Sequence, residues 1–242
     1  MSQLVDLKQR LSAIETIQKV THAMRLISMS VHTHLTRYEK FHAHYANELL
    51  ALFQRVQELS PQWTPPVFSS SQYTTPYTLF IIIGSQKGLC RTFNTLLLDL
   101  FEKEYKHFDS TQRYSLIVIG AKALSSLPKK YVSRVVETYP YLSKQTVGSI
   151  AQSLTQCILK DAPYTTIRIY GNRSKSFFNQ LPYAEDLFPT TTPVQLNELS
   201  PSPLYDYIWE TTPEETLPSL FNHALEARIH HLLFLSLLAE QA

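Results

Sequence analysis

A chain of 242 residues, 44% hydrophobic and 17% charged, has room for one large or two modest domains with a packed core, which excludes wholesale disorder. A formal net charge of +2 provides no broad basic face and hence no argument for a nucleic-acid partner. Two cysteines, Cys90 and Cys157, make no disulfide framework and fit a reducing compartment. Asp6, Lys8 and Arg10 interrupt any signal-peptide core, and Asp6 with Glu15 argues against a transit peptide. The longest apolar runs, Leu79–Ile83 and Leu232–Leu238, fall far short of the ~20 residues a membrane span needs. A soluble protein is expected, reaching a membrane only through partners.

From Ser2 to about Ser60 there is no glycine and no proline, and both disfavour helix interiors. Leu4, Leu7, Leu11, Ile14, Ile17, Val20, Met24, Ile27, Val31 and Leu35 recur at steps of three and four, one stripe of a single long helix. A stripe that long requires a partner helix. Pro61, Pro65 and Pro66 end the helix, and residues 61–77 read as a linker.

The rhythm then changes. Thr78–Gly84 reads as a strand buried on both faces. Ser85–Gly88 reads as a turn and Arg91–Phe108 as a helix. Tyr114–Gly120 is a second buried strand, followed by a short helix over Ala121–Leu127. Tyr131–Glu137 is expected to be a third strand, Ser143 to cap a helix reaching Leu159, and Thr165–Tyr170 to be a further strand. Strands and helices alternating with short connections predict an α/β domain over residues 75–190 with a parallel or mixed sheet. Residues 189–203, with four prolines, should be irregular. Thr212 as cap, Pro213 at the first helical position and Glu215 then open a last helix through residue 242. Pro218 implies either a kink or a start nearer Thr216. The apolar density of Ile229–Leu238 reads as core. The predicted class is therefore α/β: terminal helices 1–60 and 212–242 forming an antiparallel coiled coil, with an α/β foot at 75–190 inserted between them.

Catalytic signals are weak. The Gly84–Gly88 turn follows a buried strand but lacks both the P-loop and the dinucleotide glycine patterns. Cys90 beside Arg91 at a helix start is a candidate for a lowered pKa, yet no base is placed beside it, and packing under the sheet is the plainer expectation. His32/His34 and His42/His44 are spaced so that each pair diverges on a helix, whereas metal pairs want three or four, and they are expected to be solvated; His230 and His231 are adjacent and diverge too. No catalytic residue, metal site or cofactor is expected.

Several stretches resemble the gamma subunit of F-type ATP synthases, the central rotor shaft. They are Ile17-Gln18-Lys19-Val20-Thr21-His22-Ala23-Met24, Ser85-Gln86-Lys87-Gly88-Leu89-Cys90-Arg91-Thr92-Phe93-Asn94, Ile119-Gly120-Ala121-Lys122, Tyr207-Ile208-Trp209-Glu210 before Pro213, and Ala239-Glu240-Gln241-Ala242. Gln86 stands where that family usually has Asp, and Arg91 where it usually has Gly. The resemblance implies a non-catalytic rotor that couples ion flow through a membrane ring to ATP synthesis or hydrolysis in a head of alpha and beta subunits. It implies partner contacts at Gln18, Lys19, Met24, Glu240 and Gln241 toward the beta subunit, at Lys87 in the foot, and at Tyr205 and Tyr207 toward the ring and the epsilon subunit. With it, the lack of a transit peptide favours the cytoplasmic face of a bacterial inner membrane. In that family the last helix continues some tens of residues past the Ala239–Ala242 motif, so the chain is expected to be either a piece or a shortened relative. The rival reading is a coiled-coil scaffold with an α/β adaptor outside any ATPase.

Overall fold

A computed structural model describes residues 2–65, 77–88, 90, 92–106, 113–160, 164–177, 179–188 and 210–241. Helix α1 runs unbroken over Ser2–Leu59, on the order of 85 Å at ~1.5 Å per residue. Thr16, Thr21, Thr33 and Thr36 each donate a hydroxyl hydrogen bond to the carbonyl four residues back, so these less helix-prone residues satisfy their polar atoms within the helix.

Five strands, β1 (Tyr77–Ile83), β2 (Arg113–Ile119), β3 (Val135–Tyr139), β4 (Thr166–Ser176) and β5 (Asn179–Phe188), form one sheet in the order β3-β2-β1-β4-β5. The first four are mutually parallel, and β5 returns antiparallel to β4. The sheet is thus mixed. Side chains alternate across it, as the pleat requires. Phe80, Ile82, Leu116 and Val118 face α2 (Phe93–Tyr105), α3 (Ala121–Ser126) and the short α4 (Lys129–Val132) in an aromatic core with Phe101, Tyr114, Tyr131 and Tyr170. Leu79, Ile81, Ile83, Ile117 and Ile169 face α5 (Val147–Lys160) and α6 (Pro213–Gln241).

Helix α6 opens with the anticipated capping box: the Glu215 N–H donates to Thr212 Oγ1 and the Thr212 N–H to Glu215 Oε2, both at 3.4 Å. It starts at Pro213 and runs through Pro218. Apart from half-buried His230 and Leu235, every residue from Ile229 to Ala239 is buried. Burial on all sides is the mark of a central helix. It packs along α1 in antiparallel fashion: Phe221 meets Phe53 at 5.7 Å between ring centroids, His230 meets His42 at 4.4 Å, and His231 meets Glu39 at 3.3 Å. Its other side lies on the sheet, where Ser236 Oγ donates to the Ile83 carbonyl at 3.1 Å. Leu35, Phe53 and Val56 of α1 share this core.

Three expectations are corrected. Tyr131–Glu137 is not one strand. Tyr131 turns inward in α4 against Phe101 (5.1 Å), and β3 begins only at Val135. The helix credited to Ser143 starts at Val147, because Ser143 and Thr146 first close a polar turn of their own. The strand starting near Thr165 extends to Ser176 and pairs with β5, which has no counterpart among the predicted elements. Pro182 lies inside β5, where it is tolerated because β5 is an edge strand and needs no donor on its outer side.

Candidate functional site

Where β1 and β2 end, two glycines meet back to back. The Gly84 N–H donates to Ile119 O at 2.9 Å. A Cβ on Gly84 would sit 2.4 Å from Ala123 Cβ and 2.7 Å from Asn94 Oδ1. Gly120 has φ of 103°, a region that disfavours any residue with a Cβ, and a Cβ there would come within 2.5 Å of Gly84 O. This close approach lets the loop at Ser85–Gly88 fold over the sheet's carboxyl end. The Ser85 carbonyl accepts the N–H groups of Lys122 and Ala123 and so caps the start of α3. Asn94 in the first turn of α2 holds Ser85 twice, accepting its N–H at 2.9 Å and donating to its Oγ at 2.8 Å.

The next two residues join this loop to distant elements. The Gln86 side chain donates to Leu142 O at 2.7 Å and accepts from Leu142 N–H at 3.0 Å. A carboxylate at this position has no proton to donate, so the reciprocal pair depends on the amide. The backbone N–H groups of Gln86 and Lys87 both donate to Glu240 Oε1 at 2.8 Å. Lys87 Nζ donates to Gln241 Oε1 at 2.7 Å. Lys87, Glu240 and Gln241, predicted from opposite ends of the sequence, are thus one joint that fastens α6 to the loop after β1. Burial pushes the Glu240 carboxyl above its ordinary range, while the two backbone donors and the Lys87 charge pull it back.

This joint performs no chemistry of its own. The N–H groups that a phosphate would need are already taken by Glu240. Cys90 lies half-buried in the loop rather than under the sheet, its Sγ 3.5 Å from Lys87 O. Burial and the nearby Glu240 charge push its thiol up, the opposite of an activated cysteine. Among the described residues no three His, Cys, Asp or Glu side chains converge on a metal position.

The other predicted residues fall elsewhere. Gln18, Lys19 and Met24 lie on α1, where every described side chain from Leu4 to Ile27 is exposed, Met24 to 59%. The structure does not bring them to the joint. Tyr205, Tyr207, Leu89 and Arg91 lie outside the described residues. Of the histidines expected to be solvated, His34 and His44 are exposed, whereas His32 and His42 are half-buried. His32 packs edge-on against Phe177 at 5.4 Å, and His42 packs on His230 and Phe234. Nothing in local spacing points to the His42–His230 contact, because its two halves come from opposite ends of the chain.

The family model for ATP synthase matches residues 3–242. The chain belongs to the ATP synthase gamma family. Its relatives include the ATP synthase gamma chain of Beijerinckia indica, 22% identical over 250 residues that cover all of this chain and 84% of that one. That of Rickettsia bellii is 26% identical over 196 residues, covering 78% of this chain and 67% of that one. The fold is similar to that of a chain in the central stalk and c-ring of the Tetrahymena thermophila mitochondrial ATP synthase, with a TM-score of 0.62 and 17% identity over 92% of this chain and 94% of that chain. The gamma subunit is a non-catalytic component of the central stalk, and catalysis belongs to the beta subunits. No helix among the described residues is long and apolar enough to cross a membrane.

Proposed function

We propose that this chain is the rotor shaft of an F-type ATP synthase, coupling ion flow through a membrane ring to ATP synthesis or hydrolysis in an alpha/beta head. The observation that carries the reading beyond family membership is the apolar stripe of α1, which stands exposed from Leu4 to Ile27. A soluble protein that displays so long a stripe uses it against a partner. In this reading α6 paired with the later part of α1 serves as the base of the shaft, the exposed N-terminal part of α1 projects beyond it toward the head, and residues 75–190 form the foot. Gln18, Lys19 and Met24 face the beta subunit. Lys87, Glu240 and Gln241 hold loop and shaft together beside it. Tyr205 and Tyr207 face the ring and the epsilon subunit. The assembly sits at the cytoplasmic face of a bacterial inner membrane. A shaft needs no catalytic group, only stiffness and an asymmetric surface that biases three surrounding sites differently as it turns.

Affinity purification of the tagged chain from its own cells tests this. Alpha, beta and epsilon subunits in stoichiometric amounts are the expected companions, together with ATP-driven ion pumping by the isolated complex. Recovery of the chain with none of them would favour the scaffold reading.

A further inference from the structure

Around His42 the seam between α1 and α6 holds a cluster of imidazoles. The His42 ring lies 4.4 Å from that of His230 with 47° between planes, and 5.1 Å from Phe234. His230 in turn stacks over Phe234, 16° from parallel. One residue on, His231 is 8% exposed and sets Nε2 3.3 Å from Glu39 Oε1. Its Nδ1 is buried with no hydrogen-bond partner among the described residues. A groove lined by Phe41, Tyr45, Gln152, His223 and Glu226 opens beside the His42–His230 pair, so water and protons reach it.

This geometry suits neutral rings and opposes charged ones. A neutral His231 satisfies Glu39 through Nε2 and leaves a bare lone pair at Nδ1. Protonation would bury an N–H with no acceptor there. Two imidazolium rings packed as closely as His42 and His230 would repel each other. Lys144 adds to this: it opposes charge on His42, and its Nζ lies 3.4 Å from His34 Nε2 and 3.5 Å from the Tyr38 ring centroid. Glu39 favours charge on His42 and on His231, and Glu185 favours it on His231, but Arg228, which pairs with Glu185, opposes it there. Burial lowers all three groups. His230, further opposed by His42 and His231, is pushed down to about 4.

We propose that this cluster makes the α1–α6 seam an acid-sensitive joint, closed while His42, His230 and His231 are neutral and opening as they take up protons. A base whose pKa is lowered by folding withdraws stability as pH falls through its ordinary value near 6.5, down to its folded value. For His230 alone the opening equilibrium would rise roughly 20-fold between neutral pH and pH 5. Partial solvent access reduces this to roughly tenfold. The proposal concerns helix pairing in this chain and stands apart from the rotor reading, so subunit co-purification neither supports nor removes it.

Amide hydrogen exchange of the full chain at pH 7 and pH 5, corrected for intrinsic rates, is the test. The opening constant of amides 224–238 should rise roughly tenfold in the wild type. It should rise less than about threefold in the double variant His42→Phe/His230→Phe, which keeps ring packing without the titration. An equal rise in both proteins would overturn the proposal. Imidazole NMR titration of the wild type decides the matter if the variant does not fold: His230 titrating well below 6.5 supports the joint, and His42, His230 and His231 all titrating at or above 6.5 sinks it.

Discussion

Glu240 is the residue through which the loop after β1 grips α6, and its removal has a magnitude that follows from the contacts. Glu240→Ala strips the acceptor from two N–H groups held at 2.8 Å. The Gln86 donor is partly buried and the Lys87 donor is exposed, so water replaces the second more easily than the first. An unmet buried donor costs about 1–3 kcal/mol and a rehydrated one much less, which puts the loss near 2 kcal/mol. For a chain of this size that corresponds to a fall in Tm of roughly 4–8 °C. Glu240→Gln keeps the Oε1 acceptor and gives up only the charge. Because burial raises the Glu240 carboxyl's pKa, the folded state binds its proton more readily than the unfolded state does. The stability Glu240 contributes is therefore fully present below its ordinary pKa and is lost as pH rises through the folded value. The Gln variant should melt at or above the wild type at pH 7, with its margin shrinking as pH falls toward 4.5. Calorimetry of the three proteins at pH 5 and 7, with exchange rates for the Gln86 and Lys87 amides, reads both effects. Equal melting of the Ala variant and wild type, or a Gln variant as unstable as the Ala variant, would refute the account of the joint.

Gly84→Ala should destabilise the chain by about 1–3 kcal/mol through overpacking against Ala123, whereas Gly88→Ala, whose Cβ would meet nothing nearer than Lys122 Cε at 3.9 Å, should stay within about 0.5 kcal/mol in urea denaturation. Thr212→Ala removes half of the capping box and should lower stability by about 1 kcal/mol in the same assay; no change would mean that Pro213 and core packing set the helix start by themselves. Met24→Lys, at a site 59% exposed, should leave the melting curve of the isolated chain unmoved while reducing ATP-driven pumping in the assembled complex. Intact pumping would remove Met24 from the coupling surface.

How far the sequence reveals this molecule depends on whether the deciding interaction is local. The unbroken α1, the two strands buried on both faces and the capping box at Thr212 all follow from neighbouring residues, and all three stand in the structure. The end of β4 and the whole of β5 were not legible, because Asn172, Arg173 and Ser174 carry no strand pattern and Pro182 argues against one. The pairing of Asn172 with Pro182 holds only because β4 supplies hydrogen bonds on one side and nothing is demanded on the other. The joint was half legible. The Ser85–Asn94 motif and the Ala239–Ala242 motif were each visible, but not that one's backbone donors end on the other's carboxylate. Such a contact leaves no trace in spacing, since the donors are peptide groups that every residue carries. The same reasoning explains the histidines. Read along one helix, His42 and His44 diverge and His230 and His231 diverge, which is correct and yet misses that His42 turns toward α6 while His230 and His231 both reach α1, at His42 and at Glu39. Divergence within a helix rules out a chelating pair there, but it is also what aims one ring at the neighbouring helix, so the spacing that argued against a metal site left the seam between α1 and α6 open to His42 and His230.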